Sequence, residues 1–515
     1  MIVLFATIII TITVFSPADT ANILALFPHQ GFSHNVVYQP YIQELAKRGH
    51  NITIISNYPL EHPNINNISI KGSMPIFYKS KKNISHVEGN SVNEIQRSIN
   101  VIWGFYDRGK IYEAIFTVDG VKKLLNSPSK FDLLVTEHFN NELFLGFASK
   151  LNIPFILLSS CNLLPWNQHA VGQPYSLANI PSTLTGLGTE MSFYSRVINT
   201  ISHTVQIFGY KLLCRTRDEA IIKRNLDIKV SLDQLILNAS LILVNTHFTM
   251  LESKPLVPAV VEIGGIHIMP IKPLPTDIQK YIDESKDGVI YFCMGSSLRG
   301  ESFSVEKRQK FLNVFDKLPQ RILWKWEGEL PGKPSNVMIR EWMPQRDILA
   351  HPNVKLFISH GGLLGTTEAV HEGVPILSMP MFGDQITNIK SVVSRGAAEM
   401  MNYGNLNEDE IFIKITSMLT NPKYRKKAKE LSEAFRDRPM SALETAVYWT
   451  EYVIRHKGAP LLRSATIGTP WYQYYLIDVL IVIFLFVTTI FVLLYCLIFK
   501  VLLRLLNRKS KEKQS

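Results

Sequence analysis

Cysteine is scarce, with four residues in 515. Cys496 falls inside an apolar run. Cys161, Cys214 and Cys293 are too widely spaced for a C-x-x-C metal site and too few for a disulfide framework. Charge is also thin: 19% of residues are charged against 46% apolar, the balance of a globular protein with some membrane segment. The net charge of +11 forms no basic stripe interleaved with aromatics, so a nucleic-acid partner is not supported. Disorder is not indicated outside the last dozen residues. At this length one core does not suffice, and two domains of similar size are expected.

Long charge-free runs stand at both ends. Ile2 to Phe15 is apolar and is followed by Ser16-Pro17-Ala18, so residues 1–20 read as a secretory signal peptide, though one without an early Lys or Arg. Val479 to Phe499 holds no charge and would span about 31 Å as a helix, the thickness of a bilayer core. Tyr472, Tyr474 and Tyr475 precede it at interfacial positions. Residues 475–499 are therefore read as a transmembrane helix. The basic tail 500–515 carries a net +5 and is expected on the cytosolic side, with the body lumenal. Lumenal placement would expose the sequons at Asn51, Asn67, Asn83 and Asn238. Lys511 and Lys513 resemble a dilysine retrieval signal of type I endoplasmic-reticulum proteins.

Between these ends the chain alternates strand and helix patterns. Asn22 to Phe27 and Ile52 to Ile55 read as strands around a helix ended by Gly49, which implies a parallel sheet. Phe131 to Val135 and Phe155 to Leu158 read as further strands. Residues 165–235 are less regular. Phe193 to Leu213 reads as an amphipathic helix that either packs on its own domain or touches the membrane. Five prolines between Pro255 and Pro275 suggest a linker. The second half alternates again, from Val289 to Met294 through the helix ended by Gly396. Met440 to His456 reads as a helix leading toward the span. The domain boundaries expected are 21–265, a linker 266–285, 286–438 and a membrane-proximal segment 439–474.

The chemistry concentrates in Trp342 to Gln385. A strand ending at Ser359 runs into His360-Gly361-Gly362 and then a helix, the arrangement that binds phosphate through free amides and a favourable dipole. Gly365 lets that helix be approached closely. Trp342, Gln345, Glu368, Asp384 and Gln385 join it at fixed spacing. The runs W-M-P-Q-R-D-I-L, F-I-S-H-G-G-L-L-G-T-T-E-A and H-E-G-V-P-I-L-S-M-P-M-F-G-D-Q resemble the donor-binding signature of the UDP-glycosyltransferases, in their animal, membrane-bound, insect-like form. The resemblance extends from Pro28 through the tail.

It implies an α/β fold of GT-B architecture, two facing Rossmann-like domains, the first binding acceptor and the second UDP-sugar, plus one C-terminal transmembrane helix. It implies no cofactor beyond the co-substrate UDP-sugar. Trp342 would stack on uracil, with Gln345 bonding base or ribose and Glu368 taking the ribose hydroxyls. His360 and Ser296 would hold the diphosphate beside the Gly361 and Gly362 amides. Asp384 and Gln385 would bond the hexose. His34 matches the family's general base, while His50 reads as structural. The family's orienting Asp is replaced by Glu137, with Glu142 as a rival. No D-x-D triplet occurs, so a metal-bridged diphosphate is not supported and inversion is expected.

Leu364 stands where vertebrate relatives usually have Asn. Asn245 stands near an Arg of glucuronate-using relatives, which favours UDP-glucose. The acceptor would be a small lipophilic molecule bearing a hydroxyl. A non-catalytic lumenal binding protein and a lipid or ceramide glycosyltransferase are the alternatives. Self-association is left open.

Overall fold

The computed structural model describes residues 20–75, 93–127, 130–251, 253–296 and 298–512. The signal-peptide reading and the sequon Asn83 lie outside them, as does Lys513 of the dilysine pattern. The chain divides into Met1–Arg463 and Ser464–Ser515.

In the first unit, two parallel sheets carry the architecture. The strands are β1 (Asn22–Phe27), β2 (Asn51–Ser56), β3 (Ile65–Ser69), β4 (Leu133–Glu137), β5 (Phe155–Ser159), β6 (Leu241–Val244) and β7 (Val260–Glu262), in the order β3-β2-β1-β4-β5-β6-β7. β8 (Val289–Cys293), β9 (Arg321–Lys325), β10 (Val337–Arg340), β11 (Val354–Ser359), β12 (Ile376–Ser378) and β13 (Ala398–Met400) form the second sheet, ordered β10-β9-β8-β11-β12-β13. Central strands such as Leu-Ile-Leu-Val of β6 and Val-Ile-Tyr-Phe-Cys of β8 are buried throughout. Helices covering both faces demand such continuous apolar runs. In each sheet the strand order reverses at one place, between β1 and β4 and between β8 and β11, while the strands stay parallel. The crevice at the carboxyl ends of such strands is where this fold class binds ligands.

The helices used below are α1 (Phe32–Lys47), α2 (Glu94–Gly109), α3 (Phe193–Gly209), α4 (Thr276–Asp283), α5 (Leu363–Glu372), α6 (Gln385–Ser394), α7 (Ala442–Arg455) and α8 (Ile477–Glu512). Several differ from expectation. The stretch read as a linker is not irregular throughout: Val260–Glu262 is the edge strand of the first sheet, and α4 lies within 266–285. The prolines fall between these elements and so do not interrupt them. α7 does not simply lead away toward the span, since it packs on α1. Thr450 Oγ1 donates to Ala446 O at 2.7 Å and accepts from the Tyr41 hydroxyl at 2.6 Å. Glu451 lies 3.5 Å from Arg48 and 3.6 Å from His50, whose Nδ1 accepts from Ala21 N.

α3 packs on α2, yet through a polar face: Asn199, Ser202, His203 and Gln206 are its buried residues. In the second unit, α8 runs on through the segment read as a free tail, and Ile477–Asn507 is long and apolar enough to cross a membrane. The helix continues past the expected span 475–499 through Lys500 and Arg504.

Candidate functional site

His34 sits in the first turn of α1, directly after β1, and Glu137 is the last residue of β4. The strand order sets them side by side at the first reversal. His34 Nδ1 is hydrogen-bonded to Glu137 Oε1, and Ser160, just beyond β5, joins both. The Ser160 hydroxyl donates to Glu137 Oε1 at 2.7 Å and lies 2.9 Å from His34 Nδ1. Burial alone would raise the Glu137 carboxyl. The pull of His34, with smaller contributions from His29 and Ser160, outweighs it and holds the group below its ordinary value. An ionised carboxylate on Nδ1 fixes the tautomer and leaves Nε2 as the basic nitrogen. Glu142, the rival partner, is committed elsewhere: Arg215 donates to both its oxygens, at 2.6 and 3.0 Å.

His29 stacks on His34, ring centroids 3.6 Å apart, and its Nδ1 accepts from Gly31 N at 2.9 Å. Burial pushes its pKa down to about 3, so the ring is neutral. Phe139 meets both imidazoles edge-on. Beside them His29, Phe105, Arg108, Tyr112 and Phe139 line a hollow of about 20 Å³. A second hollow of about 30 Å³ lies among Leu163, Tyr175, Thr183 and His203, at the start of the less regular region.

The second reversal assembles the other half. His360 follows β11 and Ser296 follows β8, where it is exposed. Gly361 has φ +77°, and a Cβ there would stand 2.9 Å from Ser378 Oγ and 3.1 Å from Gln385 O, so only glycine makes this turn. Its amide donates to Ser359 Oγ at 3.1 Å. The Gly361 N–H, expected beside a phosphate, is thus engaged within the chain. The free amides of such a turn are those that open α5 after the Gly362 cap, which have no intrahelical acceptor. The His360 ring fits between Gly295 and Gly362, where added Cβ atoms would come within 2.6 and 2.5 Å of it. Burial lowers its pKa to about 4. The ring is therefore a neutral imidazole at neutral pH.

Gln345 Nε2 donates to Glu368 Oε2 at 2.6 Å, and Gly365 admits that contact, a Cβ there falling 3.0 Å from the amide nitrogen. Burial raises Glu368 to about 7, against the Gln345 bond and Arg346. His267 lies beneath it, 3.7 Å away. Trp342 is 62% exposed and touches Phe32 of α1 edge-on at 5.8 Å, across the groove between the sheets. Asp384 caps α6 and accepts from Asn388 Nδ2 at 3.0 Å. Burial raises its pKa, and it feels the His34 ring electrostatically. Gln385 is less free than expected, since its Oε1 accepts from the Met381 and Phe382 amides, leaving Nε2 for a ligand. Thr387 and Lys390 of α6 hold the facing domain, donating to Thr183 O and Gly186 O.

The family described as "UDP-glucoronosyl and UDP-glucosyl transferase" matches residues 23–512. The chain belongs to this family. It is 43% identical over 499 residues to UDP-glycosyltransferase UGT5 of Dactylopius coccus, covering 94% of this chain and 93% of that one. To UDP-glucuronosyltransferase 2A2 of Homo sapiens it is 31% identical over 504 residues, covering 93% and 92%. Its fold is similar to the crystal structure of LpCGTa in complex with UDP, at TM-score 0.54 and 17% identity, covering 85% of this chain and all of that one. This UDP-glycosyltransferase has GT-B architecture and a C-terminal membrane-anchoring helix. It moves a sugar from a UDP-sugar to an acceptor.

Sequence reasoning missed Ser160, His29, Phe139 and His267 in this UDP-glycosyltransferase. Ser160 and His29 each lie within two residues of the end of an inner strand, β5 or β1, so the strand-end rule could have found them. Phe139 lies equally close to the end of the inner strand β4, whereas His267 gave no such signal.

Proposed function

We propose that the chain transfers glucose from UDP-glucose to a hydroxyl of a small lipophilic acceptor, without a metal and with inversion. His34 serves as general base and Glu137 orients it. The observation that carries this reading is the Glu137–His34–Ser160 cluster, buried at Glu137 and Ser160 and part-exposed at His34, facing Asp384 across the groove. The acceptor hydroxyl gives its proton to His34 Nε2 as its oxygen attacks the anomeric carbon opposite UDP. Glu137 stabilises the imidazolium that results. UDP departs with its charge held by the amides opening α5 and by hydrogen bonds from His360 and Ser296. Trp342 would face the uracil, Glu368 and Gln345 the ribose, and Asp384 with Gln385 Nε2 the hexose.

Asn245 supports glucose over glucuronate. It is buried, and its Nδ2 donates to Ser160 O at 3.1 Å, so it offers a neutral amide and no cation for a carboxylate. Competition between UDP-glucose and UDP-glucuronate for one acceptor tests the donor, and preferential glucuronate transfer would refute it. The β-anomer as sole product supports inversion, and an α-anomer rejects it. The proposed location is the endoplasmic-reticulum membrane, with the body lumenal and the tail cytosolic.

A further inference from the structure

Helix α3 is built inside out. Its inward face is polar and is hydrogen-bonded through Asn199 and Gln206. Asn199 Oδ1 accepts from Ser182 N at 2.7 Å, and its amide donates to Leu177 O and Ile180 O. Gln206 accepts from Ser182 Oγ and donates to Ser98 Oγ at 2.8 Å. The ring of His203 packs edge-on to Tyr175. Its outward face is apolar. Phe193, Tyr194, Val197, Ile201, Phe208 and, one turn beyond, Leu212 are exposed, Phe193 by 76% and Leu212 by 65%. At 100° per residue they fall within about a third of the helix circumference, so they form one stripe. A helix that packs on its own domain turns the opposite face outward, and an exposed ridge of this kind marks a contact surface.

We propose that this stripe lies in the interface of the same membrane the chain is anchored to, as a second contact independent of α8. Three observations choose a lipid surface over another protein. No acidic residue occurs from Met191 to Arg217, and Arg196 borders the stripe, a basic border that suits lipid phosphates, while Lys211 pairs with Asp233 at 2.5 Å. Aromatic rings open it at Phe193 and Tyr194, and a tyrosine ring favours the headgroup level. The helix Ile477–Asn507 tethers the chain to a bilayer, which makes that surface the one met at high effective concentration.

The full-length protein, reconstituted in vesicles of phosphatidylcholine and phosphatidylserine carrying a photoactivatable acyl chain, tests this. After irradiation and digestion, lipid adducts are mapped by mass spectrometry. Adducts are expected on peptides covering 193–212 as well as on the span. In a variant carrying Ile201→Ser and Phe208→Ser the 193–212 adducts should be lost, while span adducts and turnover of a soluble acceptor remain. Adducts confined to the span would overturn the proposal. So would a zero-length crosslink joining 193–212 to a second copy, with no lipid adduct there.

Discussion

His34→Ala deletes the nitrogen that takes the proton, so kcat is expected to fall about a hundred- to ten-thousandfold. UDP affinity, measured by calorimetry, should be unchanged, because the nucleotide's proposed partners all lie beyond Gly295. Loss of both together would mean that the residue is structural. Ser160→Ala removes one hydrogen bond to Glu137, worth about 1 kcal/mol. Its kcat should fall by less than that of Glu137→Gln, and an equal or larger fall would make Ser160 more than a positioning group. The proposed ribose contact of Glu368 makes UDP binding depend on pH. Its raised pKa of about 7 means that free protein carries a proton there below neutrality, whereas ribose hydroxyls are best accepted by the carboxylate. UDP affinity should therefore rise as the pH rises through about 7, and then level off. Glu368→Gln should bind weakly at every pH, and a retained pH profile in that variant would place the proton elsewhere.

The turn from β11 into α5 and the return of α7 onto α1 carry the site at the next scale. Gly361→Ala forces a left-handed residue and a Cβ against Ser378 Oγ, a strain of about 1–2 kcal/mol before the clash is counted. It should abolish UDP binding with a modest drop in Tm, and normal UDP binding would remove the turn from the site. Thr450→Val leaves the buried Tyr41 hydroxyl without its acceptor and should cost about 1–3 kcal/mol in denaturant unfolding. Strands and the donor-site turn were legible because parallel strands are continuous apolar runs and the turn is ruled by glycine. Glu137 was legible only through the resemblance, and its longer side chain is accommodated by Ser160, a contact between separate strands that no local pattern announces. The return of α7 was not legible either, since an amphipathic helix does not say which domain receives its face. α3 defeated the pattern for a sharper reason: its apolar stripe was visible, but packing on α2 uses the polar one.

For the whole molecule the account reduces to two switch points facing one another across a groove, on a body anchored by one helix. Sequence order alone sets this up, since residues following β1, β4, β8 and β11 must gather wherever the sheets reverse. What sequence could not supply is the closing of the groove, which rests on contacts such as Phe32 with Trp342 and Lys390 with Gly186 O. The most direct test is a structure of the full-length protein with UDP and an unreactive glucose donor analogue. Uracil against Trp342, diphosphate at the amides opening α5, and the anomeric carbon facing His34 Nε2 with room for a hydroxyl between them are the predicted result. Uridine bound elsewhere, or His34 turned away from the groove, would contradict it.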